Sequence, residues 1–208
     1  MKLAVLGTGM VGTTLGAAFA AAGHEVTLGT RDPEATAARG GISLPLATFA
    51  GAAEGASVVV LAVGGQVAES VLAAAGDLSG KVILDVTNPL DFSNGFPPSL
   101  TVKDTDSMAE VLQRAHPEAR VVKSLNTVNA SLMVNPAGLG DGDTTMFLAG
   151  DEAAARDVVR GLLYDLVWSD IVEFEALEAA RGLEMWLPLW VRLMQNFGTP
   201  QFNLKLVR

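Results

Sequence analysis

The chain is 208 residues long and half of them are hydrophobic, so one domain with a sizeable buried core is expected, with room for a small appendage. The 23 acidic residues outnumber the 14 basic ones, and the formal net charge of −9 argues against a nucleic-acid-binding surface. There is no cysteine and there are two histidines, which excludes disulfides, thiolate catalysis and iron–sulfur ligation and predicts no metal site.

The first 22 residues predict a strand, a glycine-rich turn and a helix. An apolar run ends at Gly7-x-Gly9-x-x-Gly12. Gly7 permits the turn, Gly9 lets a pyrophosphate approach the backbone, and Gly12 lets the helix pack closely on the sheet. The N–H groups and positive dipole at the start of a helix attract phosphate. The predicted dinucleotide-binding residues of this turn are Gly7, Thr8, Gly9, Met10, Val11 and Gly12.

The glycines and threonines also interrupt what would otherwise resemble a signal peptide. We therefore expect this stretch to be the first strand and helix of the mature protein. No run of about 18 apolar residues is uninterrupted elsewhere, so no membrane span is predicted. Together these features predict a cytoplasmic protein that does not bind membranes.

The end of the second predicted strand distinguishes NADP from NAD. An NAD-binding protein usually has Asp or Glu there for the ribose 2′-OH, whereas this chain has Thr30 and Arg31. A hydroxyl and a guanidinium suit a 2′-phosphate, so NADP(H) is the predicted cofactor. Asp32 comes one or two residues too late and is predicted to cap the next helix, with Pro33 at the first helical position.

Strands and helices alternate along most of the chain, which predicts a mostly parallel, doubly wound α/β sheet of the Rossmann type over residues 1–165. The predicted strands are 3–6, 26–28, 42–46, 58–63, 81–86, 120–125, 146–149 and 167–172. The predicted helices are 13–22, 33–39, 48–54, 66–75, 107–115 and 151–165. Residues 90–105 lack a clear period and predict a long loop. A capping box from Ser107 to Glu110 opens the helix that follows.

Residues 166–208 predict a small C-terminal segment that covers the substrate and contributes a dimer contact. A helix over 176–195 should break near Pro188, and residues 202–207 resemble a weak terminal strand. The aromatic side chains of this segment make a homodimer the expected assembly. Its excess of cations makes Arg181 a candidate for binding a substrate anion, although a salt bridge to Glu178 or Glu184 is an equal alternative.

Ligands of a doubly wound sheet lie outside the carboxyl ends of the strands. The residues expected there to bind the cofactor are Val63, Gly64, Asn88, Pro89 and Asn126, and those expected to contact substrate are Asn126, Thr127 and Arg181. The strand ends hold no evident acid, base or nucleophile, and Asp85 and Lys123 lie within predicted strands as structural residues. No catalytic residue is therefore predicted. Alignment alone suits hydride transfer between a nicotinamide and a flavin-like ring, whereas a carbonyl or imine needs a proton donor.

The chain resembles the NADPH-dependent F420 reductases, also called F420-dependent NADP oxidoreductases. The resembling stretches are Gly7–Gly12, Gly29–Pro33, Asp85–Pro89, Val122–Thr127 and Ala180–Glu184. The resemblance implies NADP(H) on the glycine turn and on Thr30 and Arg31, with its nicotinamide near Asn88 and Asn126. It also implies that coenzyme F420 stacks on the nicotinamide under the C-terminal segment, with no covalent intermediate. The reductase domain of six-transmembrane metalloreductases is similar and uses flavin.

Three functions stay open, each with a small-molecule ligand. The first is hydride transfer between NADPH and a redox partner, coenzyme F420 or a flavin. The second is reduction of a small carbonyl or imine, but the reductases that do this have a longer helical C-terminal domain than the roughly 40 residues found here after residue 165. The third is a non-catalytic NADP(H)-binding sensor, which the acidic composition does not exclude.

Overall fold

The computed structural model describes residues 1–208. Its strands are β1 (Lys2–Leu6), β2 (Glu25–Thr30), β3 (Leu46–Thr48), β4 (Val58–Leu61), β5 (Val82–Asp85), β6 (Leu90–Asp91), β7 (Ser99–Leu100), β8 (Arg120–Ser124), β9 (Thr145–Gly150) and β10 (Asp170–Phe174). Its α-helices are α1 (Met10–Ala21), α2 (Pro33–Ala38), α3 (Phe49–Ala53), α4 (Ala68–Ala73), α5 (Met108–Ala115), α6 (Ala130–Met133), α7 (Ala153–Asp165), α8 (Ala180–Met185) and α9 (Leu187–Phe197).

Eight strands form one sheet in the order β10-β9-β8-β5-β4-β1-β2-β3. The six strands from β8 to β3 in this order are parallel, and β9 and β10 run antiparallel to β8 and parallel to each other. Strands β6 and β7 form a separate antiparallel ribbon within the predicted 90–105 loop. The strand order reverses between β1 and β4, where such sheets open a ligand crevice at their carboxyl edge. The predicted Rossmann-type fold is confirmed.

Hydrophobic side chains pack on both faces of the sheet, as a doubly wound fold requires. The sheet separates two hydrophobic cores, and successive residues of β4 point into different ones. Val58 packs in one core with Phe19 of α1, whereas Val59 packs in the other core with Leu72 of α4. The continuous apolar sequence of this strand follows from burial on both sides. None of the helices combines the length and the apolar character needed to cross a bilayer.

The strand predicted over residues 42–46 is wrong in its bounds, because β3 begins only at Leu46. Pairing with β2 starts at the carbonyl of Pro45, which accepts a hydrogen bond of 2.8 Å. Proline has no N–H to donate, so the strand cannot extend backwards through it as a full ladder. Ile42 and Leu44 still pack against the core, but from irregular chain.

Residues 202–207, predicted as a weak terminal strand, form no strand. The N–H of Thr145 donates to the carbonyl of Leu204 at 2.8 Å, and the N–H of Leu206 donates to Thr145 Oγ1 at 2.9 Å. Both edges of β9 are already occupied by β8 and β10, so the tail cannot pair with β9 as a further strand. It crosses the beginning of β9 instead.

The sheet continues past residue 165, because β10 of the expected C-terminal segment is its edge strand. After β10, a single 3₁₀ turn over Leu177–Ala179 leads into α8 and α9, which meet at Trp186. The predicted break near Pro188 is confirmed. Pro188 lies in the first turn of α9, where a missing N–H removes no intrahelical hydrogen bond.

Candidate functional site

Two glycines of the turn after β1 are required by the protein itself. Gly7 has a φ of +120°, and a Cβ on it would lie 2.3 Å from the carbonyl oxygen of Ala62. A Cβ on Gly12 would lie 2.0 Å from the carbonyl oxygen of Gly7, far inside contact distance. The predicted close packing at Gly12 is therefore confirmed, but it is made against the glycine turn at the end of β1.

Gly9 is different, because no internal contact demands a glycine there. Its φ of −78° is open to any residue, and a Cβ on it would meet nothing within 4 Å. Helix α1 begins immediately afterwards at Met10, with Gly9 as N-cap and no side chain capping its first turn. The first N–H groups of a helix have no intrahelical partner. Open space over Gly9 and uncapped N–H groups beside it fit a phosphate-bearing ligand.

A pocket of about 330 Å³ opens where β2 ends, and we call it the arginine pocket. Its lining residues are Gly7, Thr8, Gly29, Thr30, Arg31, Asp32, Arg39 and Phe49. Arg31 is exposed in it and takes part in no ion pair. Asp32 caps α2 as predicted, accepting the N–H of Ala35 at 2.9 Å. The carboxylate is thereby held at the helix, which leaves a net positive pocket.

The hydroxyl of Thr30 is buried and lies 3.0 Å from that of Thr36 on α2. Arg39 donates from Nη2 to the same Thr36 hydroxyl at 3.2 Å and lines the arginine pocket. The sequence interpretation missed Arg39. The spacing of Thr36 and Arg39 could have predicted their contact, because residues three apart on a helix are neighbours and both lie on the short helix predicted after Arg31.

An adjoining slot of about 370 Å³ extends the arginine pocket across the sheet edge. It is lined by Thr30, Arg31, Thr48, Phe49, Ala50, Val67, Ser70, Val71 and Ala74. Phe49 borders both the slot and the pocket, and Val71 of α4 lines the slot together with Val67 and Ala74, which flank that helix. An aromatic and aliphatic slot beside a positive pocket fits an adenine ring whose ribose carries a phosphate.

The largest cleft, of about 590 Å³, lies on the other side of the glycine turn. Its lining residues are Gly7, Thr8, Gly9, Met10, Val11, Ala62, Val63, Gly64, Val67, Val86, Thr87, Asn88, Leu90, Val128, Asn129, Ala130 and Met133. It shares Gly7 and Thr8 with the arginine pocket, so the two spaces meet at the turn. The cleft brings together the predicted residues Val63, Gly64 and Asn88. None of its lining side chains is ionisable at neutral pH.

Asn88 borders this cleft, and Asn126 fixes its amide from behind. Asn126 Nδ2 donates to Asn88 Oδ1 at 2.9 Å, and Asn88 Nδ2 donates to the carbonyl of Asn126 at 2.9 Å. Asn126 is itself buried and also donates to the carbonyl of Leu183 at 3.0 Å. The structure thus places Asn126 behind the cleft wall, where it orients Asn88.

Pro89 and Thr127 are likewise buried and do not line the cleft. The carbonyl of Pro89 accepts the N–H of Thr101 at 2.8 Å, and that of Thr127 accepts the indole N–H of Trp186 at 3.2 Å. Both residues support the strand ends through their backbones. Their contacts with a cofactor or substrate stay predictions.

Arg181 is engaged by carboxylates outside the cleft. It donates to Glu110 from Nε at 2.9 Å and from Nη2 at 2.6 Å, and to Glu178 from Nη1 at 3.0 Å. Its hydrogen bonds hold the pKa of Glu110 below the ordinary value. The alternative salt bridge to Glu178 is confirmed and that to Glu184 is not. Of the predicted capping box, the N-cap half is confirmed, because Glu110 N–H donates to Ser107 Oγ at 3.2 Å, whereas the backbone N–H of Ser107 donates to Asp106 Oδ1 at 3.0 Å and not to Glu110.

The arginine pocket and the large cleft together fit NADP(H). The arginine pocket supplies two cations for a 2′-phosphate, the open space over Gly9 leaves room for a pyrophosphate, and the large cleft extends to the ends of β4 and β5. In a sheet of this order a dinucleotide spans the same crevice. The fit rests on features that the fold alone does not require, above all the uncrowded glycine at position 9.

Comparison with known proteins agrees with this arrangement. The family model for coenzyme F420-dependent NADP oxidoreductases matches residues 2–89. The F420-dependent NADP reductase of Methanothermobacter marburgensis is 32% identical over 98% of this chain and 99% of its own length. A crystal structure from Arthrobacter sp. FB24, assigned provisionally to the F420-dependent NADP reductases, is 48% identical over the full length of both chains, with a TM-score of 0.97.

The similarity extends to a longer protein. The rat metalloreductase STEAP3 is 28% identical over 202 residues, which is 96% of this chain. The chain spans only 38% of that relative.

Proposed function

Because the chain belongs to the family of coenzyme F420-dependent NADP oxidoreductases, we propose that it transfers a hydride between NADPH and a deazaflavin or flavin ring. Membership of the family makes the protein an NADP-dependent oxidoreductase. The nature of the second ring is the part that we propose.

The observation that carries the proposal is the neutral lining of the large cleft. Its polar side chains are the hydroxyls of Thr8 and Thr87 and the amides of Asn88 and Asn129, with no acid, histidine or lysine among them. Reduction of a carbonyl or imine relies on a placed proton donor of suitable pKa. Hydride transfer between two aromatic rings requires mainly that the rings be aligned and shielded from water.

The shape of the lining favours a ring over a small charged substrate. Ten of the seventeen lining residues are hydrophobic, and they include Met10 and Val11 of α1 and Ala130 and Met133 of α6. These two helices pack against each other, so one wall of the cleft is continuous and apolar. A planar conjugated ring gains binding energy by covering such a wall, and a small carboxylate does not.

The side chains at the cleft have orienting roles in this reaction. NADPH, when bound, would supply a hydride from its nicotinamide ring, and the accompanying proton would come from water. The glycine turn and α1 would hold its phosphates, and the arginine pocket would hold its 2′-phosphate. Asn88, locked by Asn126, presents a fixed amide with one N–H unused by the protein.

The test is to mix the protein with NADPH and, separately, coenzyme F420, FMN or FAD, and to follow NADPH absorbance and the acceptor spectrum. We expect NADPH to be consumed with at least one of the three rings. A panel of small aldehydes, ketones and cyclic imines forms the comparison. Turnover confined to that panel would assign the chain to the carbonyl or imine reductases. Tight NADPH binding with no turnover at all would favour the sensor.

A further inference from the structure

Three charged side chains form a buried cluster beside the end of β5. Lys123 on β8 is fully buried, and its Nζ lies 2.8 Å from Asp85 Oδ2 and 2.9 Å from Glu184 Oε1. Burial would lower the pKa of Lys123, but the charges of the two carboxylates outweigh it and raise the pKa, so the ammonium is charged at neutral pH. None of these groups lines the cleft or takes part directly in the proposed hydride transfer.

The cluster holds the backbone of Thr87 from both sides. Lys123 Nζ donates to the carbonyl of Thr87 at 2.6 Å, and the N–H of Thr87 donates to Asp85 Oδ1 at 2.9 Å. Thr87 lines the large cleft, and its hydroxyl is buried without a hydrogen-bond partner in the protein. Since buried hydroxyls are normally paired, an unpaired one at a cleft wall points to a bound ligand as its partner.

Glu184 connects the same cluster to the C-terminal segment. Its carboxylate also accepts the N–H groups of Met108 at 2.8 Å and Ala109 at 3.2 Å, at the start of α5 where a negative charge is favoured. Two neighbours of Glu184 bind the residues that follow β8. The carbonyl of Leu183 accepts a hydrogen bond of 3.0 Å from Asn126 Nδ2, and the indole N–H of Trp186 donates one of 3.2 Å to the carbonyl of Thr127. Helix α8 is therefore joined to the strand ends that border the cleft.

We infer that Lys123, itself held in place by Asp85 and Glu184, is a positioning residue that fixes Thr87 so that the Thr87 hydroxyl hydrogen-bonds the nicotinamide end of the bound cofactor. A buried ion pair adds little net stability over well-packed apolar side chains, so stability alone does not account for the cluster. Any effect of the Lys123 cluster on turnover rests on the proposed hydride transfer. Its effect on cofactor binding depends on NADP(H) alone.

The test compares two ligands that differ at the nicotinamide end. Adenosine 2′,5′-bisphosphate carries the adenine, the 2′-phosphate and one 5′-phosphate but lacks the nicotinamide, so it reports on the adenine slot, the arginine pocket and the glycine turn without the nicotinamide end. For Lys123→Met and for Thr87→Val, we expect the Kd of NADPH to rise roughly five- to tenfold, the loss of about one hydrogen bond. The Kd of adenosine 2′,5′-bisphosphate should change less than about twofold, because its pocket is untouched.

Lys81→Met is the matched control, since Lys81 lies at the opposite end of β5 and donates to the carbonyl of Ala56 at 2.8 Å. It should change neither affinity. If Lys123→Met leaves too little folded protein, Glu184→Gln perturbs the cluster more gently, because the amide keeps one acceptor oxygen. Its NADPH affinity should fall about threefold.

Two results would overturn the inference. Equal weakening of both ligands in a folded variant would mean a general loosening of the protein, and unchanged affinity for both would mean that Thr87 does not contact the nicotinamide end. Neither measurement needs an electron acceptor. A failure of the proposed hydride transfer would therefore leave this test intact.

Discussion

At the end of β2, the hydroxyl of Thr30 is turned to Thr36 inside the protein, while the guanidinium of Arg31 lies exposed in the arginine pocket. The two residues were predicted to share the 2′-phosphate. In the structure the Thr30 hydroxyl is paired with that of Thr36, which also accepts a hydrogen bond from Arg39, and a contact of Thr30 with the 2′-phosphate stays a prediction. The pocket has two guanidinium groups, and Arg39 has part of its hydrogen-bonding capacity committed to Thr36 and to the carbonyl of Ala35.

Replacing Arg31 with alanine should lower the affinity for NADPH by about 10- to 100-fold, because a charged hydrogen bond to phosphate contributes about 1.5–3 kcal/mol. Affinity for NADH should change less than about twofold, since NADH has no 2′-phosphate. Fluorescence titration of both cofactors measures the difference. Arg120→Ala is the control, because Arg120 lies at the amino end of β8, away from the carboxyl ends of the strands where the pocket opens. Equal losses for NADPH and NADH would show that Arg31 does not contact the 2′-phosphate.

At the scale of elements, the turn between β1 and α1 combines two different demands on glycine. Gly7 and Gly12 are needed because their own protein crowds them, and Gly9 leaves open space instead. The same distinction separates residues that build the site from residues that meet the ligand. It yields a pair of substitutions, identical in chemistry, with opposite consequences.

Gly9→Ala should leave the free energy of unfolding within about 1 kcal/mol of the parent, because its Cβ meets no atom and its φ is ordinary. It should nevertheless weaken NADPH binding at least about tenfold by placing a methyl group where the pyrophosphate lies. Gly12→Ala should lower the free energy of unfolding by about 2 kcal/mol or more, since its Cβ would overlap the Gly7 carbonyl. Urea denaturation and NADPH titration separate the two effects. A stable Gly9→Ala variant with full affinity would contradict the assignment.

The ends of the parallel strands were predictable because each one is marked by a local change from apolar to small or polar residues. The 42–46 strand was misplaced because strand pairing, here set by Pro45, depends on a neighbour that hydrophobic pattern does not reveal. The tail over 202–207 has an alternating pattern, but the strand it contacts, β9, already has β8 and β10 on its two edges. Pattern indicates what a segment can form, and the occupancy of its partners decides whether it does.

Across the whole molecule, ion pairs attach the later elements to the body of the sheet. Arg181 joins α8 to Glu110 on α5, and Arg156 and Arg160 on α7 bind Glu173 on β10. Hydrogen bonds from these arginines hold the pKa values of Glu110 and Glu173 below their ordinary value of 4.5. A carboxylate with a lowered folded-state pKa contributes stability above its ordinary pKa and loses it as the pH falls through the folded value.

We therefore expect the urea midpoint to fall as the pH is lowered from about 6 to about 3. Burial raises the pKa of Glu184, which acts in the opposite direction, but the groups with lowered values outnumber it and also include Asp106 and Asp170. Glu110→Gln should flatten part of the dependence. A midpoint that stays constant or rises on acidification would contradict the role given to these pairs.

The expected homodimer stays a prediction at this scale. Helix α9 exposes Leu189 and Phe197, and Trp190 stacks on Phe202 of the tail with ring centroids 5.3 Å apart. Leu189 and Trp190 are among the side chains on which the expectation of a dimer contact rests.

The sequence by itself determined the fold class, the dinucleotide site and the preference for NADP, because these are written in short patterns: glycine spacing, alternating apolar runs and the pair Thr30 and Arg31. Only the tertiary structure decided that Arg39 joins the pocket, that Asn126 stands behind Asn88, and that Lys123 is held by two carboxylates. The Asn126–Asn88 and Lys123–Asp85 contacts each join residues that lie 38 positions apart in the chain. Such partners are chosen by the order of strands and the packing of helices, which local patterns do not encode.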